Sequence, residues 1–430
     1  MQLNLNSAIG RQRRLNQVGE TITSIATPVA AYSLRSLTGG DPLAVRVRRS
    51  SNDASAEKNF TVSEINSGAL LDHINKDVIT EQSNFTSGTD SYVRDSHGTI
   101  SREATYEGKS DVLNYTHTGG RFAFKKASIA LERTSSYTIA FEYYADTAFN
   151  NQSWGVERSF PTGGRPTISS NSPTVVSDAW TSVTLNVPNG RTTGTQILSL
   201  RIEDQSSTSD YGTTTNGSVR VKNIVVTQTT GSGFITTWYD QSGNSNNATQ
   251  TDTDKQPAIA TNGSLLVDSA GLPEIDFDGI DDRFEIDFGS NLSQPNSILF
   301  VHQSDLTGDT NNEFFDELGG SVRTLFDTGS NKYRPFAGVV TDTGVAIDTN
   351  KNLAFAVYNG SSSLFAKNGT ATSAINIGTD AIAQTSSIGF SEGTTNNYDG
   401  TMQEFIIYNS DQSSNRPKIE TNIMNHYSIS

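Results

Sequence analysis

The stretch Tyr239-Asp240-Gln241-Ser242-Gly243, inside "FITTWYDQSGNSNNATQ", sets an acid, an amide and a hydroxyl side by side. Asp and Ser at that spacing could be parts of a nucleophilic site, but a triad needs a base to link them, and no His lies near. The competing reading is a turn. There Asp240 accepts the backbone N–H two residues on, and Gly243 takes a conformation that other residues avoid. A second stretch, "DFDGIDDRFEID" from Asp276 to Asp287, crowds five Asp and one Glu. Hard cations want several oxygens, so Asp276, Asp278, Asp281 and Asp282 are candidate calcium ligands. The alternative is a hairpin turned at Asp278-Gly279, with Asp281 and Asp282 solvated. Calcium is the one cofactor these residues suggest.

The five histidines, His73, His97, His117, His302 and His426, show no metal-ligand spacing and default to surface or core roles. No Gly-rich loop precedes a helix as a phosphate site requires. Trp154 in "NNQSWGVERSF" and Tyr211 in "STSDYGTTTNG" sit between polar turns, where an aromatic face could stack on a sugar ring. The competing reading turns Trp154 inward and makes Tyr211 a loop anchor. Trp180 and Trp238 open or lie within alternating strands and read as core.

The elements that must position these groups are strands. The chain has 430 residues, 34% apolar, with abundant Gly, Ser, Thr and Asn, a profile of short strands and polar turns. Its 46 acidic and 31 basic residues give a net charge of −15, which argues against nucleic acid as a partner. Cysteine is absent, which excludes disulfides and thiolate metal sites. The start "MQLNLNSAIGRQRRLNQVG" lacks the apolar core of a signal peptide, and no later run is suited to span a bilayer, so membrane insertion is not expected.

Residues 1–28 read as an arm. Arg11, Arg13 and Arg14 could dock it to an acidic partner or simply be solvated. From Ala30 the pattern is β: in "LAVRVRRSS", Leu43, Val45 and Val47 share one face while Arg46 and Arg48 share the other. "SGALLDHINK" is expected to be a helix capped by Ser67. Alternating segments from "GRFAFKK" to "VRVKNIVVTQ" then predict a self-contained β-sandwich, closed by a flexible joint at Thr229–Gly233. Further strands follow, and Pro417 with Ile419, Ile423 and Tyr427 predicts a short terminal helix.

Four segments, "AAYSLRSLTGGDPLAVRVRRSSND", "GFITTWYDQSGNSNNATQ", "LPEIDFDGIDD" and "GTMQEFIIYNSDQSSNRPKIETNIMNHY", together resemble the concanavalin A-like (laminin-G/lectin-type) domains of phage virion proteins. They also resemble the catalytic domain of arabinofuranosidase B, which shares the Y-D-Q-S-G signature and the closing strand-plus-helix. The resemblance covers roughly Val29–Asn75 and Ser232–Ser430. In those relatives the first two segments are joined by a short link; here about 155 residues intervene. "VRVKNIVVTQ" is similar to the closing strand of carbohydrate-binding jelly rolls. The fold expected is all-β: a concanavalin A-like jelly roll (29–75 plus 231–430), a second jelly-roll sandwich inserted at 76–230, and a short C-terminal helix. Lengthening a surface loop costs little extra entropy, which makes such an insertion tolerable.

The resemblance also frames an enzymatic reading. A retaining glycosidase needs two carboxylates flanking the bond. The family's nucleophile is a Glu in a V-D-x-E-N strand, whereas "AIDTNKN" keeps Asp348 but has Asn350 at the Glu position. An amide is a very poor nucleophile. "SSIGFSEGTT" offers Glu392 near the family's acid/base position, one residue out of register, and the paired Cys of the family's sugar pocket are absent. The resemblance therefore implies a non-enzymatic phage virion protein, tail-associated or head-decorating, with a glycan-binding sandwich displayed for host attachment. The implied partners are other virion proteins, host-surface glycans and further copies of the chain, although no heptad or repeat encodes an oligomer. A divergent arabinofuranosidase-like hydrolase and a stand-alone lectin are the alternatives.

Overall fold

The computed structural model describes residues 20–50, 57–75, 78–94, 98–118, 123–131, 136–159, 167–168, 171, 173–187, 194–203, 215–305, 313–318, 325–329, 331–390 and 397–430. The architecture is two antiparallel β-sandwiches with a terminal helix. Every named strand pairing between Val78 and Gln228 stays within that stretch, in one six-stranded and one five-stranded sheet. The remaining strands, before and after it, pair with one another.

The outer sandwich closes around the last strand, Asp399–Tyr408, which pairs with Asn296–Ser304 on one side. On its other side lie Ala30–Ser33 (Ala30 opposite Ile407) and Ile275–Asp278 (Asp278 opposite Asp399). Asn352–Tyr358 and Leu364–Lys367 extend this layer. The facing layer runs through Glu57–Thr61, Leu43–Arg49 and Gly233–Trp238, then by Ala248–Thr249 to Phe284–Asp287 and Thr385–Ile388. Between the layers Tyr32, Trp238, Phe284, Phe300 and Phe405 pack in one core.

The sheet built on Asp399–Tyr408 is buried on both faces, which is why "NLAFAVY" is apolar without alternation. Its outer face meets the helix Arg416–Tyr427 through Ile419, Ile423 and Tyr427. Pro417 stands in the helix's first turn, where its missing N–H has no intrahelical partner to lose.

The early helix differs from expectation. Two short helices form, Val62–Ser67 and Ala69–Ile74. The first is started by a capping box: Thr61 Oγ1 accepts the Glu64 N–H, and the Glu64 carboxylate accepts the Thr61 N–H. Gly68, at φ +92°, ends it in the left-handed conformation that only glycine adopts freely.

The joint at Thr229–Gly233 is also not the free hinge the sequence suggests. Gln228 Nε2 donates to the Ser50 carbonyl (2.6 Å), Ser232 N–H donates to Ser50 Oγ (2.8 Å), and Thr229 N–H donates to the Ser136 carbonyl (2.8 Å). A Cβ on Gly231 would lie 2.5 Å from the Ile74 carbonyl oxygen, so this crossing is close-packed. Glycine here serves close approach rather than mobility. Among the described residues no helix is long and apolar enough to cross a membrane.

Candidate functional site

The Asp-Gln-Ser turn brings its polar groups onto backbone, not onto one another as a reactive set. Asp240 Oδ1 accepts the Ser242 N–H (2.8 Å), as the turn reading expects, and also the Ala31 N–H (2.9 Å). Gln241 is buried: its Oε1 accepts the Leu37 N–H, and its Nε2 donates to the carbonyls of Ser33 and Arg35. Gly243 has φ +91°. The triplet is a clasp on the "AYSLRSL" segment.

The Asp-rich stretch folds as a hairpin between Ile275–Asp278 and Phe284–Asp287. Asp278 Oδ1 accepts the N–H groups of Ile280 (2.9 Å) and Asp281 (3.3 Å), and Asp282 Oδ2 accepts the Asp278 N–H (3.1 Å). Among the described residues no group of three or more His, Asp or Glu is placed to hold a metal, so the hairpin does not gather Asp276, Asp278, Asp281 and Asp282 into such a group. One further correction applies: Asp282 is not solvated but buried, with 7% of its surface exposed. Burial and the Asp278 charge push its carboxyl up to about 8. Burial and the charges of Asp305, Asp399 and Asp278 push Asp276 up to about 6.

This has a measurable consequence. An unfolded Asp282 ionises near 3.8 while the folded one stays protonated to about 8. The stability it contributes is therefore complete below the unfolded value and is lost as pH rises through the folded one. Asp282→Asn cannot ionise and is expected to gain about 5 kcal/mol over the parent at about pH 8.5 relative to about pH 4, at about 1.4 kcal/mol per unit between the two values. Urea unfolding at the two pH values checks it, and an equal difference at both would remove the argument.

Asp348 and Asn350 line a cavity of about 580 Å³, together with Lys351, Asn352, Lys367 and Tyr427. Asp348 is tied down by Lys367 Nζ (2.6 Å), Asn352 Nδ2 (2.9 Å) and the Asn350 N–H (2.9 Å). Although burial opposes it, these contacts hold the carboxyl down at about 2. Lys351 pairs with Asp268. Asp348 is the one carboxylate side chain among the described lining residues. Glu392 lies outside the described residues, as do Arg11, Arg13, Arg14 and Tyr211.

Trp154 is corrected as a sugar-stacking residue. It has no exposed surface and packs edge-on against Phe141 (4.8 Å between centroids) and Tyr143 (5.0 Å) in the inserted core. An indole sealed between two sheets cannot meet a ligand from solution.

Trp180, expected in the core, is instead half-buried on the outer face of the six-stranded sheet. The reason is strand parity. In Thr181–Val187 the inward residues are Val183, Leu185 and Val187, so Trp180 shares the outward side with Ser182. In Tyr137–Ala145 every odd-numbered residue is buried, which turns Glu142 and Tyr144 outward. The register sets Thr181 opposite Tyr143 and Tyr144 opposite Arg220. Trp180, Tyr144 and Arg220 thus form a row across the sheet. Tyr106, at the tip of the hairpin Thr99–Tyr106 and Lys109–Thr118, completes it. Its ring lies 3.9 Å from the Arg220 guanidinium carbon, a cation–π contact, and 5.1 Å from the Tyr144 ring. Tyr144 and Trp180 are 5.9 Å apart.

Polar groups frame the row. Arg220 pairs with Asp146 (3.0 Å) and Glu103 (3.5 Å), and Lys109 pairs with Glu142 (2.5 Å). Desolvation raises the Tyr144 hydroxyl above its ordinary value, aided by Tyr106 and by the charges of Asp178, Glu107 and Asp146. It therefore remains a hydrogen-bond donor at neutral pH. Half-buried aromatic faces beside acceptors and donors are what a ring with apolar faces and polar edges requires.

No protein-family model and no curated protein matches the chain. Among solved structures it is similar to the Family 16 Carbohydrate Binding Module-2, at 12% identity over 35% of this chain and 99% of that one, with a TM-score of 0.26. It is also similar to the N-terminal CBM22-1-CBM22-2 tandem domain from Paenibacillus barcinonensis Xyn10C (10% identity, 77% of this chain and 97% of that one, TM-score 0.29). A third is domain 4 of AbnA, an arabinanase from Geobacillus stearothermophilus solved with arabinotriose (12% identity, 43% and 91%, TM-score 0.33). Similarity at this level assigns neither a family nor a ligand to the chain.

Proposed function

We propose that the protein is a non-enzymatic glycan-binding protein of a phage particle. Its inserted sandwich presents the binding face, and its concanavalin A-like outer sandwich serves as the mount. The observation that carries this reading is the aligned row Trp180–Tyr144–Tyr106, half-buried on an outward sheet face and framed by hydrogen-bonding groups. A buried core needs no aromatic rings on that side; a saccharide does. In this reading the arm with Arg11, Arg13 and Arg14 docks to other virion proteins.

The non-enzymatic part is supported by Asn350 at the nucleophile position and by Asp348, which is locked in contacts with Lys367 and Asn352. Among the described residues, the cavity they line presents no second carboxylate side chain to act with Asp348.

A glycan array probed with the parent protein and with Trp180→Ala tests the reading. The parent is expected to bind, and the variant to lose about tenfold or more in affinity from the missing stacked face. The same parent preparation is expected to leave an aryl arabinofuranoside unhydrolysed. Binding that survives Trp180→Ala unchanged removes this face from the function, and turnover of the arabinoside restores the hydrolase alternative.

A further inference from the structure

The ring geometry and the charges of the row say more about the ligand, given the glycan reading on which this inference rests. Coplanar rings form a flat platform that fits a flat surface, such as a packed polysaccharide crystal. Here the rings are steeply inclined to one another, Tyr106 to Tyr144 by 76° and Tyr144 to Trp180 by 66°. No flat surface can meet all of them at once. A single chain whose successive sugars turn relative to one another can offer each ring its own face.

Charge narrows the class further. Among the described residues the cations on this face are engaged, Arg220 with Asp146 and Glu103, Lys109 with Glu142, and Lys222, opposite Glu142 in the register, with the Ser110 carbonyl. Asp178 and Glu107 add carboxylates that act on the Tyr144 hydroxyl. The excess is negative. A chain of uronic or sialic acids would meet net repulsion here, because Asp146, Glu103, Glu142, Asp178 and Glu107 outnumber Arg220, Lys109 and Lys222. Neutral hydroxyls, by contrast, find acceptors in these carboxylates and a donor in Tyr144.

We infer that the face formed by Trp180, Tyr144 and Tyr106 takes single, soluble, neutral polysaccharide chains, and rejects acidic chains and crystalline polysaccharide surfaces. The probes that test this are xylohexaose and cellohexaose, polygalacturonate, and microcrystalline cellulose, used with the full chain in calorimetry and pull-down. The expected result is binding to at least one neutral hexasaccharide, with an affinity constant within about twofold between low and high salt, since no net charge is neutralised. Trp180→Ala and Tyr144→Ala should each weaken it about tenfold, with unchanged urea unfolding showing that the sheet persists. Tighter binding to polygalacturonate or to microcrystalline cellulose overturns the inference while leaving the glycan-binding function standing. Failure of the array and of every probe overturns both.

Discussion

Glu404→Gln, or Arg35→Ala, is expected to destabilise the outer sandwich by about 3–5 kcal/mol, the range for breaking a buried ion pair on one side. Glu404 has no exposed surface. Its carboxylate accepts Arg35 Nε (2.7 Å) and Nη2 (3.1 Å), Ser33 Oγ (3.0 Å) and Tyr427 Oη (3.1 Å). Arg35 Nη1 reaches on to Asn422 Oδ1 (2.9 Å), so this one carboxylate joins the first strand, the last strand and the terminal helix. Removing the charge from Glu404 leaves the guanidinium buried without its counter-ion. Removing Arg35 leaves the carboxylate in the same state. The double replacement Arg35→Met with Glu404→Leu leaves no orphan charge and is expected to recover much of the loss. Urea unfolding of the three variants checks this. Losses that simply add in the double variant would mean that the pair is not coupled.

That network shows what the sequence made legible. "AYSLR", "MQEFIIY" and "NIMNHY" each look ordinary alone; their order implies that they belong to one unit, and the structure joins them through Ser33, Arg35, Glu404 and Tyr427. The terminal helix was readable because Ile419, Ile423 and Tyr427 repeat at helical spacing and Pro417 stands where only a first turn admits it. The inserted sandwich was readable from alternation and turn spacing, and the outer one from the resemblance carried by its four segments.

The sequence pointed to a different face from the one proposed for glycan, for a physical reason. Local polarity around Trp154 suggested exposure, but exposure on a strand is set by parity, not by flanking residues. Trp154 shares parity with Val156, and both are fully buried. Trp180 has the parity opposite to Val183, Leu185 and Val187, so the signal for its outward position was present in "WTSVTLNV". Tyr106 carried no such signal. Its place beside Tyr144 follows from tertiary stacking on Arg220, a contact more than a hundred residues away in sequence. Burial of Asp282 was equally hidden: a turn residue is expected in water, and only the fold around the hairpin encloses it.

Gln241→Ala is the substitution that separates a structural from a chemical role for the Asp-Gln-Ser turn. The Gln241 amide accepts from Leu37 N–H (2.9 Å) and donates to the carbonyls of Ser33 (2.9 Å) and Arg35 (3.1 Å), all in a buried setting. Truncation strands each of these backbone groups, and at about 1 kcal/mol or more apiece the loss is expected to reach about 3 kcal/mol. Gln241→Glu is the sharper variant. It keeps an acceptor for Leu37 but turns an oxygen toward the carbonyls, so it should be no better than alanine despite its near-identical shape. Hydrogen exchange locates the effect. Amides across Ala30–Leu37 should exchange faster in both variants, while those of Tyr137–Ala145 in the inserted sandwich keep their protection. Because the aromatic row belongs to the unaffected sandwich, glycan affinity should be retained under conditions where the variants remain folded. If stability and exchange were unchanged while binding or turnover vanished, the turn would be a reactive site after all. Bound as it is to the backbone of residues 29–37, it is expected to act as the clasp that sets Arg35 against Glu404.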